Sequence, residues 1–155
     1  MRFSKKSEYG LRALIELTKS YGRDPLPRHQ IAARQHIPLV FLEQILLALK
    51  HAGLLASTRG AQGGYVLIKP PSQVTLGHVI RTLDGPLAPI RCVSKTAYQK
   101  CRDCPYAKKA SCPLQNAMGE VRNAIADILD NYSLEDFLSG TRRHGQRPLR
   151  RERRS

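Results

Sequence analysis

The chain has 155 residues, 41% of them hydrophobic, and a formal net charge of +14. This length suits one domain, or one domain with a docked extension. No run approaches the ~20 apolar residues that a membrane-spanning helix needs, so we expect no membrane partner. The first residues lead directly into an amphipathic pattern rather than a signal peptide, so we expect a cytoplasmic location.

The positive charge is concentrated at the two ends of the sequence. Residues 1–69 carry a net charge of +7, residues 70–140 only +1, and residues 141–155 carry +6. Basic flanks attract polyanions, with nucleic acid the first candidate partner and an anionic membrane the second. A merely solubilising surface is the alternative. The last segment offers little to bury, so we expect a disordered basic tail over residues 141–155.

The first part of the chain predicts a helix-turn-helix. Helices are expected over residues 4–20, 28–36 and 38–51, with Ser4 as the first N-cap. Two short helices, a tight turn and a longer helix with a polar outer side are typical of this DNA-binding unit. The buried face of the third helix is predicted from its apolar positions, Phe41, Leu42, Ile45, Leu46 and Leu49.

A glycine-rich hairpin is predicted directly after the third helix. Residues 54–58 and 65–68 have the pattern of two strands, and the turn between them contains Gly60 and Gly63. Glycine permits positive φ and close approach of the backbone to a ligand, although an ordinary hairpin turn also uses it. No helix follows the turn, which excludes a phosphate-binding P-loop. The expected fold is therefore mainly α with a small β-hairpin wing.

The second part of the chain predicts two further amphipathic helices. Thr75 caps a helix that ends near Asp84, and a long helix runs from about Leu114 to Tyr132. The apolar residues of the long helix alternate by four and three, which is typical of a coiled-coil seam, although packing on the chain's own core is the alternative. The predicted dimer interface is Leu114, Met118, Val121, Ile125, Ile128 and Tyr132.

All four cysteines lie between these helices, in 21 consecutive positions with the spacing C-x8-C-x2-C-x7-C. Thiolates clustered in one loop can hold zinc or an iron–sulfur cluster. Structural disulfides, unligated thiols and a redox pair at Cys101 and Cys104 are the alternatives. The redox pair lacks the βαβ context that gives such a motif meaning, and the five histidines are dispersed, so we expect no enzyme.

The assembled order resembles the Rrf-two family of bacterial winged-helix regulators. Matching segments are residues 7–14, 41–49 and 52–55, the wing residues Arg59-Gly60 and 63–67, and the closing residues 132–138. Members of that family include an iron–sulfur cluster regulator, a nitric-oxide sensor and a regulator of cysteine metabolism. The resemblance implies a homodimer that binds a near-palindromic double-stranded DNA operator. We expect this dimer to act as a repressor. A cluster held by cysteines would be its switch.

The resemblance also suggests which residues carry these roles. Cluster-binding members use three cysteines here, which selects Cys92, Cys104 and Cys112 and leaves Cys101 as the additional candidate. A 2Fe–2S cluster is favoured over a 4Fe–4S cluster, with zinc the alternative metal. One branch of the family has a histidine three residues after the last cysteine, where this chain has Gln115, so the fourth ligand is open.

The predicted DNA contacts fall into three groups. The recognition helix would present its outer residues to base edges, with Glu43 accepting from cytosine and Gln44 bridging adenine. Arg59 at the wing tip would reach a narrow minor groove, although surface ion pairs are the alternative role for both charged groups. Cations beside the helix would bind phosphates. The full set is Lys5, Lys6, Arg28, Val40, Phe41, Glu43, Gln44, Lys50, Arg59, Gly60 and Gly63.

These assignments divide the chain into four predicted segments. Residues 1–84 form the winged helix-turn-helix domain, residues 85–113 the cysteine-rich loop, residues 114–140 the dimerisation and terminal helices, and residues 141–155 the tail. Two further functions stay open beside a cluster-controlled repressor. One is a zinc-stabilised or cluster-free, thiol-based regulator, and the other is a thiol oxidoreductase.

Overall fold

A computed structural model describes residues 3–106 and 112–140 of the chain, so the predicted tail and part of the cysteine-rich loop lie outside it. The described strands, β1 (Leu55–Thr58) and β2 (Gly64–Leu67), form an antiparallel hairpin. The predicted fold, mainly helical with one hairpin after the third helix, is confirmed. The described α-helices are α1 (Lys5–Lys19), α2 (Arg28–Gln35), α3 (Leu39–His51), α4 (Leu76–Asp84), α5 (Pro113–Asp130) and α6 (Leu134–Ser139).

Side-chain caps begin three of these helices where the sequence predicts them. The hydroxyls of Ser4 and Thr75 each accept a backbone N–H three residues ahead, at 3.2 Å. Ser133 and Asp136 form a complete capping box at the start of α6. Such caps satisfy backbone donors that a helix leaves unpaired. The backbone N–H of Ser4 also donates to the Asp84 carboxylate at 2.9 Å, which joins the start of α1 to the end of α4.

One hydrophobic core joins the helix-turn-helix, the hairpin, α4 and α6. Leucines and isoleucines at helical spacing are inaccessible to solvent, as the periodicity predicts. The core therefore fixes α3 from one side and leaves its other side outside. Fully buried side chains include Leu14, Leu17, Ile31, Leu42, Ile45, Leu46, Leu49, Leu54, Leu55, Ile80 and Leu134.

Two aromatic residues near the starts of α1 and α3 are exposed, and one of them, Phe41, was predicted to lie on a buried face. Phe3 is 42% exposed because it precedes the N-cap of α1 and so does not belong to the helix. Phe41 is 51% exposed because it lies in the first turn of α3, where the neighbouring ring is that of Tyr9 at the surface. The buried face of α3 is thus narrower than the pattern predicts.

The wing is anchored to the loop between α1 and α2. Leu26 and Tyr65 exchange two backbone hydrogen bonds, each 3.0 Å long, so Leu26 extends the hairpin by one residue pair. Gly64 makes this possible because a side chain there would overlap the backbone of Leu26 and Pro27. The hairpin therefore has a fixed position relative to the helix-turn-helix.

Helix α5 packs along α4 and has no fully buried residue. It ends at Asp130, so Tyr132 lies beyond the helix, where its carbonyl accepts from the Leu76 backbone at 2.8 Å. Tyr132 also packs partly against the core, which limits what it can contribute to a seam on the free side of α5. Within the described ranges, no helix combines the length and apolar character needed to cross a membrane.

Candidate nucleic-acid interface and cysteine segment

The outer face of α3 consists of Val40, Phe41, Glu43 and Gln44. Val40 is 69% exposed and Phe41 51%, while Gln44 is exposed and Glu43 half-buried. These residues lie in the first half of the helix, which is the part that reads bases in helix-turn-helix proteins. The structure therefore brings together, on one accessible surface, the four residues that the sequence assigns to base reading.

Glu43 makes an ion pair with Arg28 at the start of α2. The two side chains approach to 3.3 Å and are 42% and 55% exposed. This is the surface ion pair that the sequence leaves as an alternative role for Glu43. A pair so exposed is worth about 0–1 kcal/mol, so Glu43 can exchange its partner for a base edge at little cost. The pair also holds the charge of Arg28 beside the outer face.

A cluster of two aromatic rings and two cations borders the same face. Tyr9 packs edge-on against Phe41, with ring centroids 6.3 Å apart and an interplanar angle of 74°. Lys5 and Arg12 lie 5.7 and 5.5 Å from the centroid of the Tyr9 ring. The sequence analysis did not identify Tyr9 and Arg12 as part of the site. Lys5 lies four residues before Tyr9 and Arg12 three residues after it, and this spacing places all three on one face of α1. The cluster orients Phe41, and its two cations share the Glu8 carboxylate at 2.6 Å from Lys5 and 3.8 Å from Arg12, which leaves one net positive charge.

The other predicted phosphate-binding cations lie on α1 and α3. Lys6 lies near Asp84. Burial raises the pKa of the Asp84 carboxyl, but hydrogen bonds from Ser4 and the charge of Lys6 outweigh this effect and lower the pKa below its usual value. Lys50 donates to the Ser57 hydroxyl at 2.6 Å, which links the end of α3 to β1. Both ammonium groups remain at the surface, where they can exchange these partners for phosphate oxygens.

The tip of the wing has a backbone that requires glycine. Gly60 has φ +106°, and the Gly63 N–H donates to its carbonyl at 3.0 Å. A side chain at Gly63 would overlap the backbone of Thr58 and Arg59. This turn holds Arg59 at an exposed position, and among the described residues no carboxylate pairs with it. The ion-pair alternative for Arg59 therefore finds no support in this part of the chain.

Cys101 lies beside Cys92, and Cys112 is linked to Cys92 through Gln115. Cys92 is 7% exposed in a short 3₁₀ turn, and the exposed Cys101 lies against it. A hydrogen bond to the Cys92 thiol, then desolvation, then the charges of Cys92 and Cys112 raise the pKa of the Cys101 thiol. The Cys104 thiol instead donates to the Tyr106 carbonyl at 3.8 Å. Sequence spacing gave no sign that Cys101 rather than Cys104 would be the neighbour of Cys92.

The cysteine segment is attached to the start of α5. Cys112 is the N-cap of this helix, and its sulfur accepts the Gln115 N–H at 3.4 Å. The side-chain amide of Gln115 donates to the Cys92 carbonyl at 2.7 Å, and Arg122 donates to the Val93 carbonyl. All four cysteines are free thiols. Over residues 3–106 and 112–140, no three His, Cys, Asp or Glu side chains are arranged to hold a metal ion.

A second attachment joins α5 to the DNA-reading domain. The Arg81 guanidinium on α4 makes two parallel hydrogen bonds to the Asp130 carboxylate, 2.5 and 2.8 Å long. Gly77 leaves the space that this carboxylate occupies. Bidentate pairs of this kind are directional, so the ion pair anchors the C-terminal end of α5 to α4.

The free side of α5 is apolar. Leu114, Val121 and Ile128 are 59%, 41% and 50% exposed, and they recur every seven residues. Met118 and Ile125, between them, are half-buried. In the described part of the chain, five of the six predicted dimer-interface residues thus form an apolar stripe that is partly exposed to solvent.

Comparisons with known proteins agree with this geometry. The model of the family Rrf2, described as "Iron-dependent Transcriptional regulator", matches residues 3–140. This chain belongs to the Rrf2 family. It is 41% identical over 139 residues to an rrf2-like HTH-type transcriptional regulator of Rhodobacter capsulatus, a match that covers 88% of this chain and 91% of the relative.

Two solved structures of Rrf2-type proteins are similar to this one. The global cysteine regulator CymR of Bacillus subtilis has a TM-score of 0.73 and 35% identity, covering 91% of this chain and 98% of CymR. IscR of T. potens has a TM-score of 0.70 and 29% identity, covering 90% of this chain and 88% of IscR. The chain is accordingly a DNA-binding transcriptional regulator, and its relatives are regulators rather than enzymes.

Proposed function

We propose that the protein is a homodimeric repressor whose affinity for a near-palindromic operator is controlled by an iron–sulfur cluster held by its cysteines. In this proposal, residues 1–84 read DNA, residues 85–113 hold the cluster and residues 114–140 join two copies. The observation that carries it is the attachment of the cysteine-bearing loop to α5: Cys112 caps this helix, the Gln115 amide donates to the Cys92 carbonyl, and Cys101 is hydrogen-bonded to Cys92. A cluster there would place a group whose charge changes on oxidation at the N-terminus of α5.

The chemistry of the donors fits such a group. Thiolates are the ligands that iron–sulfur clusters use most, and zinc binds them as well. The Cys112 sulfur accepts the Gln115 backbone N–H at the N-terminus of α5, which holds this donor in place. The hydrogen bond between Cys101 and Cys92 places two of these sulfur donors side by side.

The hydrogen bonds of α5 offer a route from the cysteines to the DNA-reading domain. Gln115 in the first turn of α5 and Arg122 in its middle hold the residues around Cys92, and Asp130 at its end binds Arg81. A change in the segment would tilt or shift α5 against α4. In a dimer joined through α5, that shift changes the separation of the two copies of α3, and the operator fixes the separation that binds.

The dimer is supported by the stripe at Leu114, Val121 and Ile128. Apolar side chains repeated at this spacing bury themselves against the same face of a second copy. Two copies would also match the two halves of a palindromic operator.

Anaerobic purification of the full chain tests the proposal. A brown protein with visible absorption and matching amounts of iron and sulfide is the expected result. The number of iron atoms per chain would separate a 2Fe–2S from a 4Fe–4S cluster. A colourless protein that contains zinc would contradict the cluster and leave a zinc-stabilised regulator.

A cluster-free, thiol-based regulator is the second candidate. The similarity to CymR and the exposure of Cys101 favour it. It predicts a protein that lacks metal and changes its DNA affinity on oxidation with hydrogen peroxide. Turnover of a dithiol substrate would instead support the oxidoreductase.

Arg59→Ala is expected to weaken binding to the operator by about tenfold or more, since a good groove contact is worth about 1–3 kcal/mol. The measurement is fluorescence anisotropy at fixed salt, with a duplex that the protein has selected from a random-sequence pool. Arg59→Lys keeps the charge and so separates the guanidinium contact from simple attraction.

Glu43→Ala should bind that duplex and random DNA with more similar affinities than the parent. If neither alanine variant changes either affinity, α3 and the wing are not the reader.

A further inference from the structure

The first turn of α3 exposes apolar side chains where a base-reading helix usually presents polar ones. Leu39, Val40 and Phe41 are 40%, 69% and 51% exposed. An exposed apolar patch of this kind generally marks a surface that meets a partner. Only Glu43 and Gln44 on the outer face can hydrogen-bond to bases, and Glu43 already has Arg28 as a partner.

The surroundings of this turn identify the chemistry of the partner. Phe41 is oriented by Tyr9, which in turn lies between the cations of Lys5 and Arg12. Because the two cations share only the Glu8 carboxylate, one positive charge is left over, and it favours a partner whose apolar groups are flanked by negative charge. The major groove of DNA has this character, because the 5-methyl group of thymine is the apolar group displayed on base edges between two rows of phosphates.

We propose that Val40 and Phe41 read thymine 5-methyl groups in each half of the operator. This inference rests on the proposed function, since it needs α3 in the major groove. Gln44, one turn further along the same face, is suited to the adenine of an A·T pair, to which an amide can bond bidentately. The outer face of α3 thus combines two groups that recognise thymine with one that recognises adenine, and the half-sites should be rich in A·T pairs.

Replacement of thymine by deoxyuridine tests the inference, because it removes the methyl group and leaves base pairing intact. The probes are duplexes that the full chain, purified anaerobically, selects from a random-sequence pool. Deoxyuridine in the half-sites should weaken binding by about fourfold for each contacted methyl group, the factor that burial of one such group gives. Deoxyuridine in the flanking sequence should have no effect.

The variants assign the contact to residues. Val40→Ala and Phe41→Ala should bind the thymine duplex more weakly than the parent and lose much of the difference between thymine and deoxyuridine. Leu47→Ala is the matched control, because Leu47 is as exposed as Phe41 and lies on the same side of α3 as Val40 but two turns further along, so it separates the first turn from the rest of the helix. It should keep the full difference.

Three results would overturn the inference. Equal affinity of the parent for thymine and deoxyuridine duplexes would mean that no methyl group is read and that the apolar turn serves another partner, such as a protein. A full deoxyuridine effect in both alanine variants would assign the methyl contact to other residues. Failure to select any sequence, with or without cluster, would contradict the proposed function itself rather than this inference alone.

Discussion

Val121→Glu is expected to convert the protein from a dimer to a monomer. Val121 is 41% exposed in the single chain, so glutamate should leave the chain's own packing intact. In the dimer, the related faces of two copies meet, so each substitution places two carboxylates in one apolar seam. Burial of an unpaired charge costs several kcal/mol per ion, which exceeds what a short seam supplies. Ile128→Glu, one heptad further along, should have the same effect.

Sedimentation equilibrium measures this outcome directly, with a monomer at 17.4 kDa and a dimer at twice that mass. Asn123→Glu is the matched control, because it adds the same side chain on the polar side of α5 and should leave the dimer intact. Affinity for the selected duplex should fall by about a hundredfold or more in the monomers, since the two half-sites are then bound independently. An intact dimer in both seam variants would place the interface elsewhere.

Cys112→Ser is expected to remove the cluster without damage to the fold. Serine is one of the best N-cap residues, so it can replace the Cys112 sulfur at the start of α5, while its hydroxyl is a poor ligand for iron. The anaerobic protein should then lack visible absorption and iron, and its thermal midpoint without metal should match that of the metal-free parent. Cys92→Ser should also lose the cluster. Because Cys92 is buried, this substitution can destabilise the fold as well, so the thermal midpoint of the variant is compared with that of the metal-free parent.

Comparison of Cys101→Ser with Cys104→Ser assigns the remaining ligand. The family resemblance predicts complete loss in Cys104→Ser and partial loss in Cys101→Ser. The approach of Cys101 to Cys92 favours the opposite order. We expect the order that the family resemblance predicts. Complete loss in Cys101→Ser with an intact cluster in Cys104→Ser would overturn it and assign the site to Cys92, Cys101 and Cys112.

Local signals account for the part of this fold that the sequence predicts well. Ser4, Thr75 and Ser133 cap helices through contacts with residues three positions ahead, which a sequence pattern contains. The hairpin follows from its glycines and alternating strands. Phe41 was assigned both to the buried face of the third helix and to the DNA contacts, because periodicity shows which residues are apolar but not whether a neighbouring element covers them.

Contacts between distant elements could not be predicted from spacing. The pairing of Arg28 with Glu43 and of Arg81 with Asp130 depends on how α2, α4 and α5 are placed. The neighbours of Cys101 depend likewise on the path of a loop. The family resemblance supplied the identity of the recognition helix and wing, whereas the stripe on α5 could be read from heptad spacing alone. The ligand set and the DNA contacts remain predictions.

The most direct test of the proposed control is the operator affinity of one anaerobic preparation measured before and after removal of iron with a chelator. Both samples are measured with the same selected duplex at the same salt concentration. Sedimentation of each sample checks that both are dimers. The two forms are predicted to differ in affinity by about fivefold to a hundredfold, the usual range of allosteric coupling. Equal affinities for two intact dimers would contradict control of DNA binding by a cluster at the cysteine segment.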